Sequence, residues 1–467
     1  MQRWHLTAGL ASLAGLAVFL APSSQARTQT APITPLTVDP IVATPVAVPI
    51  DIQHSSGGAL HLSAGLDHPA VLRGATDERF LVITVGADEV EGDPRPINVA
   101  VVIDRSGSMN EQGKMEYARD AAKEIVNSLD EGDRFSLVTF SDRSTVVVPS
   151  TPADDPSRLY RAIDSVYEGG GTNLYAGLVD GQAQVSDVRS DRSVNRVIVL
   201  SDGKANVGIT RPSALASQAG LHVPSGVSVS TIGLGLDYNE DNLAAMADTG
   251  GGTYRFVDDP TALAQIFREE LHQLDSVAAE GVDVNVSLPG VELIDVLGYD
   301  ETVTSDGFSV RLGDIYGGQT RKIVAKVRIT GAGDSVDVAD VSLTRSDAGG
   351  DVSPVDVLAT VTAVPQVVET TVHRELAILA NEAEASELAL AGTKAWSDGD
   401  TELSTQLLDS SALIAGQAGS RYGDAKLEEQ AAELNNQNAI YQANKPTSNA
   451  GKRAAKGNKE LYRDWSH

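Results

Sequence analysis

Hydrophobic and polar positions follow different rhythms in different parts of this chain. Between residues 96 and 276, unbroken apolar runs at 97–103, 134–140, 195–201, 227–233 and 253–257 are separated by stretches in which apolar residues return at helical spacing. A run of that kind, closed off by turn residues, reads as a strand buried on both faces. The intervening periodicity predicts helices near 114–130, 157–167, 173–187, 212–220, 240–248 and 260–276. Strand and helix in alternation imply right-handed crossovers, hence an α/β doubly wound, Rossmann-like sheet. A further short run at 144–148 follows its predecessor after a tight turn and is expected as an antiparallel edge hairpin.

Over 281–365 the period drops to two, as in Val282–Leu288, Val291–Leu297, Phe308–Leu312 and Arg321–Ile329, between turns rich in Gly and Asp. That pattern predicts half-buried antiparallel strands, a β-sandwich-like domain. Strand-like alternation at Ala59–Ser63 and Phe80–Val85 places more β-strands in 58–95, expected to pair with the later β domain, so that residues 96–276 interrupt it. Residues 366–445 are rich in Ala, Leu and Glu, with Leu427, Ala431, Leu434 and Tyr441 on one helical face and a break at Asp398–Asp400. They are expected as a helical hairpin packed on the sandwich, with a partner platform as the alternative. Lys452, Arg453, Lys456, Lys459 and Arg463 mark 446–467 as a basic, flexible tail.

At the other end, residues 1–26 carry Arg3, an apolar stretch from Leu6 to Ala21 and then Ser24-Gln25-Ala26, the make-up of a secretory signal peptide. A retained anchor is the alternative, and either implies export to the periplasm, the cell surface or the medium. Residues 27–57, rich in Pro, Thr and Val at first, are expected as a disordered linker. The absence of Cys excludes disulfides and lipid attachment through an N-terminal Cys. A net charge of −28 argues against nucleic acid, which needs clustered Lys and Arg. A length of 467 residues, 42% of them hydrophobic, allows two or three domains.

Chemistry begins where the first buried run stops, in Asn98–Met109. In an extended segment alternate side chains share a side, so Asp104, Ser106 and Ser108 can surround one point. Asp-x-Ser-x-Ser alone is ordinary turn composition. Two later stretches add to it: Gly169-Gly170-Gly171-Thr172-Asn173 opens a helical pattern, and Val197–Gly203 is a second buried run ending in Asp202. Because strands of an open parallel sheet line the ligand crevice with their carboxyl ends, Asp104 and Asp202 should meet there. Three hydroxyls and two carboxylates then form a hard-oxygen set suited to Mg²⁺, with Mn²⁺ or Ca²⁺ as alternatives, rather than to zinc or copper.

This constellation over residues 96–275 resembles the metal-ion-dependent adhesion site of von Willebrand factor type A domains. The resemblance implies that Ser106 and Ser108, joined by Thr172 in the ligand-bound state, touch the ion directly, whereas Asp104 and Asp202 act largely through water. It also implies a protein partner that supplies an Asp or Glu carboxylate to the remaining position. The whole layout, with Gly233–Asp241 and Gly250–Phe256, is similar to bacterial exported proteins grouped with inter-alpha-trypsin inhibitor heavy chains and calcium-activated chloride channel homologues. The channel activity is not implied, since nothing after residue 26 is apolar enough to span a bilayer.

The expected function is therefore metal-dependent protein binding or adhesion, without enzymatic activity. An adaptor or assembly subunit of an envelope complex is the alternative. A Mg²⁺-dependent phosphatase would need a second acid where Ser106 stands. Neither a dinucleotide fingerprint nor a serine-hydrolase elbow is present, and His61, within an alternating strand, is expected to be structural.

Overall fold

The computed structural model describes residues 52–90, 95–190 and 192–466. The expected signal peptide, and the expected linker as far as residue 51, lie outside them.

The described chain opens with β1 (Gln53–Gly57), β2 (Leu60–Leu66), β3 (Ala70–Leu72) and β4 (Thr76–Ala87). The next segment runs β5 (Ile97–Asp104), α1 (Lys114–Ser128), β6 (Arg134–Phe140), β7 (Ser144–Pro152), α2 (Pro156–Asp164), α3 (Leu174–Ser186) and β8 (Val194–Ser201). It continues with α4 (Pro212–Ala219), β9 (Val227–Leu234), α5 (Glu240–Gly250), β10 (Gly251–Val257) and α6 (Leu263–Asp275). Its strands form one sheet in the order β10-β9-β8-β5-β6-β7, parallel throughout except for the β6–β7 hairpin at the edge. Every residue of β5 is buried, yet its two faces differ. Val99, Val101 and Ile103 pack with residues of α1 and α6, while Ala100 and Val102 pack with residues of α3, α4 and α5. Helices on both faces are what make the run continuously apolar.

After α6 come β11 (Val277–Ser287), β12 (Val291–Leu297), β13 (Thr302–Val303), β14 (Gly307–Tyr316), β15 (Thr320–Thr330), β16 (Ser335–Thr344) and β17 (Val355–Thr362). They share two sheets with the upstream strands, β1-β2-β4-β15-β12 and β13-β14-β11-β16-β17-β3. β4 lies antiparallel to β15 from Thr76↔Thr330 to Gly86↔Thr320, and β3 lies parallel to β17. Leu62, Leu81, Ile83 and Ile323 from the first sheet meet Val284, Phe308 and Val341 from the second in one apolar core. The chain thus leaves this sandwich after β4, builds the parallel sheet and returns at β11. At the junction the fully buried Arg196 of β8 donates to Asp314 (2.8 Å) and Tyr316 (3.1 Å) of β14 and to Ser230 of β9 (2.6 Å).

Three expectations need correction. Gln53–Gly57, placed by its sequence in the linker, is an edge strand on β2, registered from Gln53↔Ala64 to Gly57↔Leu60. An edge strand satisfies one ladder and can be polar on both faces, so QHSSG carries no alternation to announce it. Likewise 446–467 is not a flexible tail through its described residues. After α7 (Pro365–Thr370), α8 (Arg374–Ser397), α9 (Thr401–Tyr422) and α10 (Ala425–Ala443), it folds as α11 (Asn449–Ser466). Lys452 pairs with Asp237 at 2.8 Å and Lys456 with Glu240 at 3.1 Å, and Lys459 and Arg463 reach Glu240 and Asp248. Basic residues spaced by three and four share one helical face, and here that face meets an acidic one.

Nor do the helices form a simple hairpin. Leu376, Ala380 and Ala383 of α8 pack on Val82, Leu297 and Val324 of the sandwich. Helices α8 to α11 otherwise enclose a core of their own, built on Leu408, Leu427, Leu434, Tyr462 and the Trp396–Tyr441 stack. Asp400, in the break between α8 and α9, caps α9 by accepting from the Leu403 amide.

Candidate metal centre

Strands β5 and β8 are neighbours whose register reaches Ile103↔Leu200, so Asp104 and the Ser201-Asp202 pair emerge side by side at the carboxyl edge of the sheet. The chain leaves β5 towards β6 on one side and returns to β8 on the other. A crevice opens where the direction of winding changes.

Asp104 ends its strand, and the backbone then turns rather than extending. Ser106 has φ −60° and ψ 167°, and Gly107–Gly113 coils in 3₁₀ fashion with a kink at Glu111 and Gln112. The alternation expected for residues 104, 106 and 108 is therefore replaced by a turn, closed by the Ser106 amide donating to Asp104 Oδ1 at 2.8 Å. That turn puts Ser106 Oγ and Ser108 Oγ 3.1 Å apart. Thr172 arrives on the loop before α3, which is stitched down by Gly169 N to Arg105 O (2.6 Å), Gly107 N to Gly170 O (3.1 Å) and Asn173 N to Ser141 O (2.7 Å). Gly170 makes the approach possible: its φ is +92°, and a Cβ there would stand 2.7 Å from Asp142 Oδ2.

All five residues singled out from the sequence gather at this rim. Ser108 Oγ donates to Asp202 Oδ1 at 2.7 Å. A Cβ on Gly203 would lie 3.2 Å from Thr172 Oγ1, 3.7 Å from Asp104 Oδ2 and 3.7 Å from Ser108 Oγ. The missing side chain of Gly203 thus leaves a small space walled by oxygen atoms. Asp104, Ser106, Thr172 and Asp202 are buried and Ser108 is half-buried. Burial pushes the Asp104 carboxyl up to about 6, with Asp202 adding to the effect and hydrogen bonds from Ser201 and Ser106 opposing it. Two buried carboxylates and three hydroxyls around one gap fit a hard divalent cation. Among the described residues no group of three or more His, Cys, Asp or Glu forms an alternative metal cluster.

Three participants were not anticipated. Ser201 Oγ, wholly buried, donates to Asp104 Oδ2 at 2.7 Å; a polar residue closing the apolar run Val197–Leu200 was its signal. Asn206 Oδ1 accepts from the Thr172 amide at 2.9 Å and ties the second loop to the third. Lys114 sends its ammonium to Asp202 Oδ2 at 2.7 Å and is itself buried. No local pattern marks a lysine at the start of an amphipathic helix as anything but solvated.

Residues 98–269 match the family model of the von Willebrand factor type A domain. Among curated proteins, the uncharacterized protein YfbK of Escherichia coli is 28% identical over 263 residues, 54% of this chain and 45% of YfbK. Inter-alpha-trypsin inhibitor heavy chain H4 of Homo sapiens is 31% identical over 180 residues, 37% of this chain and 19% of that protein. This chain thus matches less than half the length of either relative. Of solved structures, a von Willebrand factor type A protein from Catenulispora acidiphila superposes with a TM-score of 0.65 at 19% identity, over 83% of this chain and 97% of its own. The ArnB paralog VWA2 from Sulfolobus acidocaldarius gives 0.58 at 19% identity, over 88% and 99%. At these identities the likeness is one of fold, and it extends well beyond the parallel-sheet domain. Type A domains commonly bind protein partners, and those with this metal-ion-dependent adhesion site bind divalent metal ions.

Proposed function

Because residues 98–269 form a von Willebrand factor type A domain, we propose that this chain is an exported, divalent-metal-dependent protein-binding module that captures an acidic side chain of a partner. One observation carries the reading: the oxygen-walled space of Asp104, Ser106, Ser108, Thr172 and Asp202, opening at the carboxyl edge of the sheet. Ser106, Ser108 and Thr172 would hold the ion through neutral oxygens, and Asp104 and Asp202 would supply the balancing charge. A bound Mg²⁺ contributes a Lewis-acidic position open to an oxygen from outside.

The chain's own residues keep that position selective. Neutral direct ligands keep the two carboxylates off the ion itself, so an oxygen from a partner can bind it directly. Ser201 and the Ser106 amide hold Asp104 in place, and Asn206 holds Thr172. The position two residues after Asp104, where a phosphatase of this kind carries its proton-donating acid, is Ser106, which favours binding over phosphoryl transfer. Export rests on the signal-like composition of residues 1–26.

The test is calorimetric titration of the full chain with Mg²⁺ and with Mn²⁺, beside capture of partners from an envelope extract with and without EDTA. Wild type is expected to bind the ion and to retain partners only without chelator, and Asp104→Ala to do neither. Equal behaviour of the two proteins would refute the proposal.

A further inference from the structure

Lys114 is out of place by the rules of its own helix. It is the first residue of α1, where the helix dipole favours an acid and opposes a cation. The backbone reaching it is also strained. Gln112, at φ +54°, is the only residue other than glycine with positive φ among the described residues, and Gly113 follows at φ +70°. A left-handed non-glycine residue costs about 1 kcal/mol or more, and such a cost persists where the surroundings require it. Here the turn delivers a buried ammonium to Asp202 Oδ2 at 2.7 Å, while Asp202 Oδ1 accepts from Ser108. Gly235 packs beside it, where a Cβ would stand at an ordinary contact distance of 3.6 Å from Lys114 Nζ.

Resting on the metal-binding reading above, we propose that Lys114 is a fixed counter-charge of the metal centre, which weakens its hold on the divalent ion and leaves the loaded site with a surplus positive charge. The charge count carries this. Asp104 and Asp202 would together neutralise a divalent ion, and the site would then have little electrostatic reason to prefer a carboxylate over a neutral oxygen. With Lys114 already paired to Asp202, the ion meets one net negative charge instead of two. The loaded centre keeps one positive charge, which an incoming carboxylate cancels. The lysine thus gives up metal affinity and gains a requirement for an anionic ligand. It does so without touching the space beside Gly203, because it holds the carboxylate oxygen that Ser108 does not.

The probe is Mn²⁺ alone, titrated calorimetrically into the metal-free full chain as wild type, Lys114→Met, Lys114→Gln and Lys114→Arg, with Asp104→Ala as control. Lys114→Met and Lys114→Gln are expected to bind Mn²⁺ about tenfold tighter than wild type, and Lys114→Arg to stay near it. In parallel, metal-free Lys114→Met should melt below wild type, because a buried carboxylate has lost its partner, and Mn²⁺ should raise its melting temperature by more than it raises that of wild type. Gln retains a donor for Asp202, so the comparison survives if the Met variant folds only with metal. Binding by the Met and Gln variants at or below wild-type affinity would overturn the role of Lys114 and leave the metal centre standing. Undiminished binding by Asp104→Ala, or no binding by any protein, would overturn both.

Discussion

Asp104 is a carboxylate kept from water by the sheet, and in the proposed metal centre its titration would be coupled both to folding and to the ion. Its folded-state value of about 6 lies above the ordinary 3.8, chiefly because burial penalises the charge. A proton on Asp104 therefore favours the metal-free fold: the contribution is complete below about pH 4 and is lost as pH rises through 6. The ion needs the charged form, so protons compete with it below pH 6. Mn²⁺ affinity is expected to fall about tenfold between pH 7.5 and pH 5. Without metal, Asp104→Asn should gain about 1.4 kcal/mol on wild type over the same interval as pH rises, the equivalent of that tenfold. Calorimetry and chemical denaturation at the two pH values check both slopes, and a pH-independent affinity would contradict them.

At the scale of elements, the centre is made by three loops that meet only because β5 and β8 pair. The 3₁₀ turn after β5 supplies Ser106 and Ser108, the loop before α3 supplies Thr172, and the end of β8 supplies Ser201 and Asp202. Their common vacancy is the missing side chain of Gly203, whose backbone is compatible with alanine. Gly203→Ala would place a methyl 3.2 Å from Thr172 Oγ1. We expect Mn²⁺ binding to weaken by about tenfold or more, with the melting temperature within about 2 °C of wild type. Calorimetry with circular dichroism separates the two effects; unchanged metal affinity would mean that the ion does not use this space.

Over the whole molecule, charged contacts on two flanks help to hold the parallel-sheet domain in place. Near its sandwich junction, Arg196 links β8 to Asp314 and Tyr316 of β14. On another flank, α11 lays its basic face on residues 237–248, with Lys456 also over the Tyr238 ring at 3.6 Å. Lys456 and its partner Glu240 are largely buried, so this pair is screened less than a surface one. Lys456→Glu combined with Lys459→Glu should release the clasp. The amides of α11 are then expected to exchange faster with solvent, and the melting temperature to fall by several degrees, corresponding to about 1–3 kcal/mol. Hydrogen exchange with mass spectrometry reads this directly; protection of α11 equal to wild type would show that its apolar contacts suffice.

Much of this was written locally. The buried runs of β5 and β8 and the periodicity of α1 and α3 have boundaries close to those in the structure, because burial on two faces or on one stripe leaves a direct mark on residue order. Asp104, Ser106, Ser108, Thr172 and Asp202 could be picked out because they stand where those elements end. What only the tertiary structure decided are the contacts whose partners lie far apart in the chain. Polar Gln53–Gly57 is a strand because β2 offers a ladder, and α11 is docked because an acidic face awaits it. Lys114 is drawn to Asp202, 88 residues away, and no local periodicity records an attraction across that separation.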